Sequence, residues 1–170
     1  YYSFGRSDKK DAPRISITAR LVADLLQTAG ATHVMSMMLH SPQVHGFFGI
    51  PTDPLSSRLV FKEYLDTCDL SGTIVVAPDM GQAKSAARFA RTLGLPVAAG
   101  NKERISDTEV AIGGLVGNQV KGHKRALIYD DEIATGGSIL ELSRVLVHEG
   151  IEDIMVMCTH GVFSRGGLDK

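Results

Sequence analysis

The sequence predicts an α/β fold, a mainly parallel sheet flanked by helices, and three observations predict it. Short apolar runs of strand length (Val34 to Leu39, Thr73 to Ala77, Ala126 to Tyr129, Ile154 to Cys158) alternate with segments of helical periodicity, the order that right-handed crossover units produce. The runs are apolar at successive positions rather than at every second one, as strands covered on both faces require. An order of strand, acid, glycine and helix occurs twice, around Asp79 and around Asp130, and open sheets place ligands beyond the carboxyl ends of their strands.

Bulk properties limit the partners. The chain has 170 residues, 44% hydrophobic and 22% charged, enough for a sizeable core. A net charge of −1 gives no broad field for nucleic acid or an anionic membrane, so anion binding has to be local. No apolar run approaches the ~20 residues that span a bilayer, and no signal-peptide pattern opens the chain. Cys68 and Cys158 have no metal-ligand spacing; they read as core thiols in a reducing, cytoplasmic setting.

From the N-terminus, Tyr1 to Pro13 is a charged loop carrying Arg6, Asp8, Lys9, Lys10 and Asp11. Ser16 is the expected N-cap of a helix whose apolar face is Ile17, Leu21, Leu25 and Ala29, stopped by Gly30. The strand Val34 to Leu39 ends at His40, which is either structural or a site residue. Ser41 to Leu55 reads as a loop with a short packed turn, with Phe47 and Phe48 buried or at a subunit contact. Val60, Phe61, Tyr64, Leu65 and Cys68 form the inner face of the next helix.

The strand Thr73 to Ala77 leads to Asp79, an N-cap or a site acid, and then to a helix with Ala83, Ala86, Ala87, Ala90 and Leu93, ended by Gly94 and Pro96. Val97 to Ala99 is a short strand. Asn101 to Asp107 holds Lys102, Glu103 and Arg104 without an apolar anchor, and reads as a mobile flap or a solvated charge run. Val110 to Val116 suits a hairpin around Gly113 and Gly114. Gly117 and Gly122 have phosphate-loop spacing, but His123 rather than Lys follows, and no helix comes next.

The stretch from Arg125 to Ile139 carries most of the chemistry. The strand Ala126 to Tyr129 runs into Asp130 and Asp131; Thr135, Gly136, Gly137 and Ser138 turn the chain; Ile139, Leu142, Val145 and Leu146 form one helical face, ended by Gly150. Glycines let a backbone approach phosphate closely, hydroxyls donate to it, and a helix N-terminus favours it. The two acids repel the same anion, so they suit sugar hydroxyls or a divalent cation. An acidic turn with an N-cap serine is the plain alternative. A last strand, Ile154 to Cys158, precedes Thr159, His160 and Gly161.

An apolar strand followed by D-D-x-x-x-T-G-G-[ST] resembles the phosphoribosyl pyrophosphate loop of type I phosphoribosyltransferases. FGRSDKKD (Phe4 to Asp11), MLHSPQVHGFFGIPTDPL (Met38 to Leu55), APDMGQAKSAARFA (Ala77 to Ala90) and NKERISDTEV (Asn101 to Val110) narrow the resemblance to the ribose-phosphate pyrophosphokinase family across nearly the whole chain. The resemblance implies two related phosphoribosyltransferase-like domains in the intact subunit, with residues 1–52 ending the first and 53–170 forming most of the second. Further chain is expected before Tyr1 and after Lys170. It implies transfer of a diphosphoryl group from ATP to ribose 5-phosphate in a homo-oligomer whose neighbouring subunit completes the ATP site. In that picture Asp130, Asp131, Thr135, Gly136, Gly137 and Ser138 hold ribose 5-phosphate. Arg6, Asp8 and His40 bind ATP, His40 and Asp79 serve Mg2+, and Lys102 and Arg104 are catalytic. His160 is a lesser candidate.

Ser7, Met38, Gln82 and Ala134 depart from the family pattern, the last three near the chemistry. A regulatory homologue, or a phosphoribosyltransferase that consumes phosphoribosyl pyrophosphate, are the other readings. The latter leaves FGRSDKKD and the Lys102 segment without a role.

Overall fold

A computed structural model describes residues 1–104, 110–117, 120–164 and 166–167, without the side chains of 102–104 and 110–113. The chain forms two compact units, 1–57 and 58–170. The first runs past the expected junction at 52/53 because Thr52–Leu55 is a strand that belongs with it.

In the first unit, α1 (Thr18–Thr28) is followed by β1 (Val34–Met37), a 3-10 helix (Pro42–Phe47) and β2 (Thr52–Leu55), which pairs in parallel with β1. The expected loop over 41–55 therefore holds a strand; Pro54 sits opposite Ser36 on a two-stranded ribbon, where an edge position tolerates a residue without an N–H. The expected Ser16 cap is absent: Ile17 occupies the cap position of α1 with no side-chain bond, and Ser16 Oγ pairs with Thr18 Oγ1 at 2.9 Å. Ser7 does that work from a distance. Its hydroxyl accepts the Thr18 amide at 3.2 Å and its carbonyl the Ala19 amide at 3.1 Å, satisfying donors that a helix start leaves open. Phe47 and Phe48 are half-buried, Phe48 edge-on to Tyr2 with ring centroids 6.0 Å apart.

The second unit contains α2 (Arg58–Leu65), β3 (Thr73–Ala77), α3 (Ala83–Leu93), β4 (Val97–Arg104), β5 (Val110–Gly117), β6 (Arg125–Ile133), α4 (Gly137–His148) and β7 (Asp153–Gly161). Its sheet has the order β5-β4-β3-β6-β7; all neighbours are parallel except the antiparallel edge pair β4 and β5.

Alternate residues of the central strands enter opposite layers, which is what period-2 geometry dictates. Val75, Ala77, Leu127 and Tyr129 pack with Leu65 of α2 and with Ala86, Phe89 and Ala90 of α3. Ile74, Val76, Ala126 and Ile128 pack with Leu142 and Leu146 of α4. On the first side the Tyr129 ring stacks on Phe89 with centroids 4.4 Å apart and meets Phe61 edge-on at 6.2 Å.

Several expectations change here. α2 ends at Leu65, and its inner residues are Phe61 and Leu65, whereas Val60 and Tyr64 are exposed. Cys68 and Cys158 are half-buried free thiols rather than core. β4 does not stop at Ala99: the polar run from Asn101 to Arg104 continues it, with Lys102 opposite Ile112 and Arg104 opposite Val110. Backbone pairing to an apolar neighbour makes that run a strand despite its charges, and the hairpin lies between β4 and β5 rather than within 110–116. The rest of the expected flap, 105–107, lies outside the described residues. β6 and β7 likewise extend to Ile133 and Gly161, past their expected ends.

Gly94, at φ +68°, ends α3 in the left-handed conformation that glycine adopts without strain. Leu142 has no exposed surface. Leu142→Ala should therefore cost about 2–5 kcal/mol of unfolding free energy in a urea titration.

Candidate functional site

The connections of the second unit diverge at one place. The chain leaves β3 through α3 towards β4 on one flank, and leaves β6 through α4 towards β7 on the other, while β3 and β6 lie side by side. This is a topological switch point, where the loops beyond neighbouring strand ends separate and leave a crevice. The β3–β6 ladder pairs Thr73 to Val76 with Arg125 to Ile128. Beyond it β6 continues alone against β7, with Asp130 opposite Cys158, Glu132 opposite His160 and Ile133 opposite Gly161.

The acids thus lie inside a strand, on a ledge that overhangs β3, rather than after a strand end. Asp131 is only 5% exposed. Asp130 Oδ1 accepts the Asp131 amide at 2.8 Å. Burial foremost, then the hydrogen bond and negative charge of Asp131, and lastly the charge of Asp79, push the Asp130 carboxyl up to about 8. The Cys158 thiol is raised by burial first and by the charges of Asp130 and Asp131 after it. Burial likewise raises the Tyr129 phenol; Ser85 eases it slightly, though not in hydrogen-bonding geometry.

Asp79 begins the turn before α3. Its Oδ1 accepts the Gln82 amide at 3.1 Å, and its carbonyl accepts the same amide at 3.2 Å. It is a turn acid whose charge also reaches Asp130. Gln82 precedes α3 at φ −87° and ψ −7°, a conformation open to any side chain, so the backbone there does not require glycine.

The turn after β6 is built as the sequence suggests. Gly136 takes the left-handed conformation (φ +78°, ψ −9°) at the cap of α4, and the helix's own bonding starts with the Leu140 amide on the Gly136 carbonyl at 3.0 Å. Gly137 faces Thr135: a Cβ there would lie 3.8 Å from Thr135 Oγ1. Thr135, Gly136 and Ser138 are half-buried and Gly137 is exposed, so the positive end of the α4 dipole opens on this turn.

The second unit therefore brings together Asp79, Asp130, Asp131 and the turn from Thr135 to Ser138, with His160 beside Glu132. Lys102 and Arg104 occupy the stretch of β4 that pairs with the edge strand β5; their side chains lie outside the description. Arg6, Asp8 and His40 belong to the first unit. Arg6 is exposed in a turn and His40 is exposed beyond the end of β1. Asp8, in the charged loop, is buried, and its Oδ1 has no hydrogen-bond partner among the described residues. Met38 has φ +42° and donates its amide to the Leu55 carbonyl at 3.0 Å, extending the β1–β2 ladder. Among the described residues, no three His, Cys, Asp or Glu side chains are grouped to hold a metal ion. No described helix is long and apolar enough to cross a membrane.

A mainly parallel sheet with an acid pair and a glycine turn at its switch point defines a phosphoribosyltransferase-type α/β protein. The same fold occurs in purine phosphoribosyltransferase from Pyrococcus horikoshii (TM-score 0.50, 15% identity, 78% of this chain and 87% of that one). The chain belongs to the ribose-phosphate pyrophosphokinase family. Residues 1–30 match the N-terminal domain of ribose phosphate pyrophosphokinase. Ribose-phosphate pyrophosphokinase of Deinococcus radiodurans is 49% identical over 172 residues, covering 100% of this chain and 53% of its own length, and a Streptomyces coelicolor relative is 51% identical with the same coverage. The crystal structure of phosphoribosylpyrophosphate synthetase from Mycobacterium smegmatis superposes with a TM-score of 0.87 at 37% identity, over 98% of this chain and 54% of that one. The chain spans about half the length of the curated relatives it matches.

A proton held by Asp130 in the folded state up to about pH 8 is released by the unfolded chain near pH 4. The stability linked to it is complete below about pH 4 and is lost as the pH rises through about 8. By calorimetry, the melting temperature of the wild type should therefore fall more steeply over that window than that of Asp130→Asn; equal slopes would remove Asp130 from the titration.

Proposed function

We propose that the chain belongs to an enzyme that transfers the diphosphoryl group of ATP to the C1 hydroxyl of ribose 5-phosphate, giving phosphoribosyl pyrophosphate and AMP. The observation that carries this reading is the pair of half-buried Asp130 and buried Asp131 next to the Gly136 turn and the α4 N-terminus, in a chain 49% identical over all its residues to a named ribose-phosphate pyrophosphokinase. The two ends of the substrate suit the two halves of the site. Thr135 to Ser138 hold the 5-phosphate through amides and hydroxyls, and Asp130 and Asp131 accept hydrogen bonds from the ribose hydroxyls, orienting C1 towards the nucleotide.

Lys102 and Arg104 neutralise the charge that grows on the oxygens of the migrating group. Arg6, Asp8 and His40 bind the nucleotide, and the buried Oδ1 of Asp8, unpartnered among the described residues, is consistent with a carboxylate that waits for a donor. No side chain serves as a covalent nucleophile, because the sugar hydroxyl itself attacks.

The donor set also fits Mg2+. Asp79, Asp130 and Asp131 offer oxygen only, their charges act on one another, and magnesium takes one or two carboxylates with the remaining positions filled by water and phosphate. Asp79 is the proposed carboxylate contact in the second unit, and His40 the proposed contact for a magnesium-nucleotide complex in the first. When bound, the ion withdraws charge from the ATP phosphates. The same reading takes the two units as parts of two related domains, has a neighbouring subunit of a homo-oligomer complete the ATP site, and places the enzyme in the cytoplasm.

The test uses the full-length protein with ATP, Mg2+ and ribose 5-phosphate. AMP release that depends on the sugar is the expected result, and AMP release indifferent to it would overturn the reading. Lys102→Ala should lower kcat by about 10²–10³-fold, the scale of losing one preorganised charge donor, with the far-UV spectrum unchanged.

A further inference from the structure

The chain after β7 lies along the turn between β6 and α4. The amides of Val162 and Phe163 donate to the Ile133 carbonyl at 3.0 and 3.2 Å, and the Ser164 amide donates to the Ala134 carbonyl at 2.7 Å. The Ser164 hydroxyl donates to the same Ala134 oxygen at 3.1 Å, and the Gly167 amide closes back on the Ser164 carbonyl at 3.2 Å. Contact then becomes backbone on backbone. A Cβ at Gly167 would lie 3.0 Å from the carbonyl carbon and oxygen of Thr135, and one at Gly136 would lie 3.2 Å from the Gly167 oxygen. Residues 133 to 136 are thus backed by one strap.

Carbonyl oxygens are the groups that a pocket for an anion has to keep out. A carbonyl has two lone pairs, and at Ile133 and at Ala134 the strap supplies two donors to each. In a trans peptide the C=O and the following N–H point in opposite directions. Fixing the carbonyls of 133 and 134 on the strap side therefore fixes the amides of Ala134 and Thr135 on the other. The side chain at 134 takes no part in this arrangement.

We propose that Ser164 is a positioning residue for the 5-phosphate of the sugar substrate: through the Ala134 carbonyl it presets the amides of the phosphate turn. The proposal rests on the function proposed above for that turn. It assigns a role in sugar affinity to a residue four positions beyond His160 that makes no contact with the reacting groups.

The test compares full-length wild type, Ser164→Ala and Ser164→Thr. Ser164→Ala loses one of the two donors to Ala134, so KM for ribose 5-phosphate should rise about fivefold, the size of one net hydrogen bond, with KM for ATP and kcat within about twofold. Ser164→Thr keeps the hydroxyl and should restore the wild-type KM. An unchanged sugar KM in Ser164→Ala, an equal rise in both KM values, or a fall in kcat alone overturns the proposal. Hydrogen exchange reads the turn without turnover. Exchange at 134 and 135 should quicken in Ser164→Ala while the amides of β3 hold their rate, and unchanged exchange at 134 and 135 overturns the proposal. A wild type that releases no AMP counts against the functional reading alone, because the exchange result still decides the role of the strap.

Discussion

Two neighbouring carboxylates on a buried strand are the constraint around which the second unit is arranged. Asp131 is almost wholly shielded from water and Asp130 is half-shielded, so each loses hydration and gains a like-charged neighbour. Burial is the larger of the two effects on Asp130. A pair of this kind is stable only beside groups that donate to it, and the surroundings supply them in two ways. A backbone amide reaches Asp130, while the helix that follows Gly136 turns its positive end towards the same crevice.

The layers above and below the sheet hold this ledge in place. Tyr129, immediately before the pair, has no exposed surface and is wedged against Phe89 and Phe61, so the strand cannot rotate without breaking an aromatic cluster. On the opposite face Ile128 packs with Leu142 and Leu146. The acids project from a segment whose preceding residues are fixed from both sides, and a site built on such a segment keeps its geometry better than one on a loop.

Much of this was legible in the residues. Consecutive apolar positions gave the central strands, and Gly136 and Gly150 marked the ends of α4, because burial on both faces and left-handed conformations leave direct marks on composition. Strand ends were less legible. Asp130 to Ile133 and Asn101 to Arg104 are polar and read as loops, yet each has a strand alongside that satisfies its backbone, a partnership set by tertiary pairing. The Ser16 cap failed for a related reason: Ser7, remote in sequence, reaches the first amide of α1 before the local hydroxyl is needed. Ser164 left no local mark either, since only the return of the chain past β7 brings it to Ala134.

The sheet order separates two kinds of chemistry. The acids and the glycine turn stand on the β6–β7 flank, whereas Lys102 and Arg104 stand on the β4–β5 flank, two strands away across β3. The four residue pairs of the β3–β6 ladder join these halves along the backbone, the Phe89–Tyr129 stack joins them on one face, and Ala98 and Leu115 pack with Leu142 and Leu146 of α4 on the other. The spacing between the β4–β5 edge and the acidic ledge is thus held three times over, by backbone pairing and by a packed layer on each face, so a change in any one of the three is resisted by the other two.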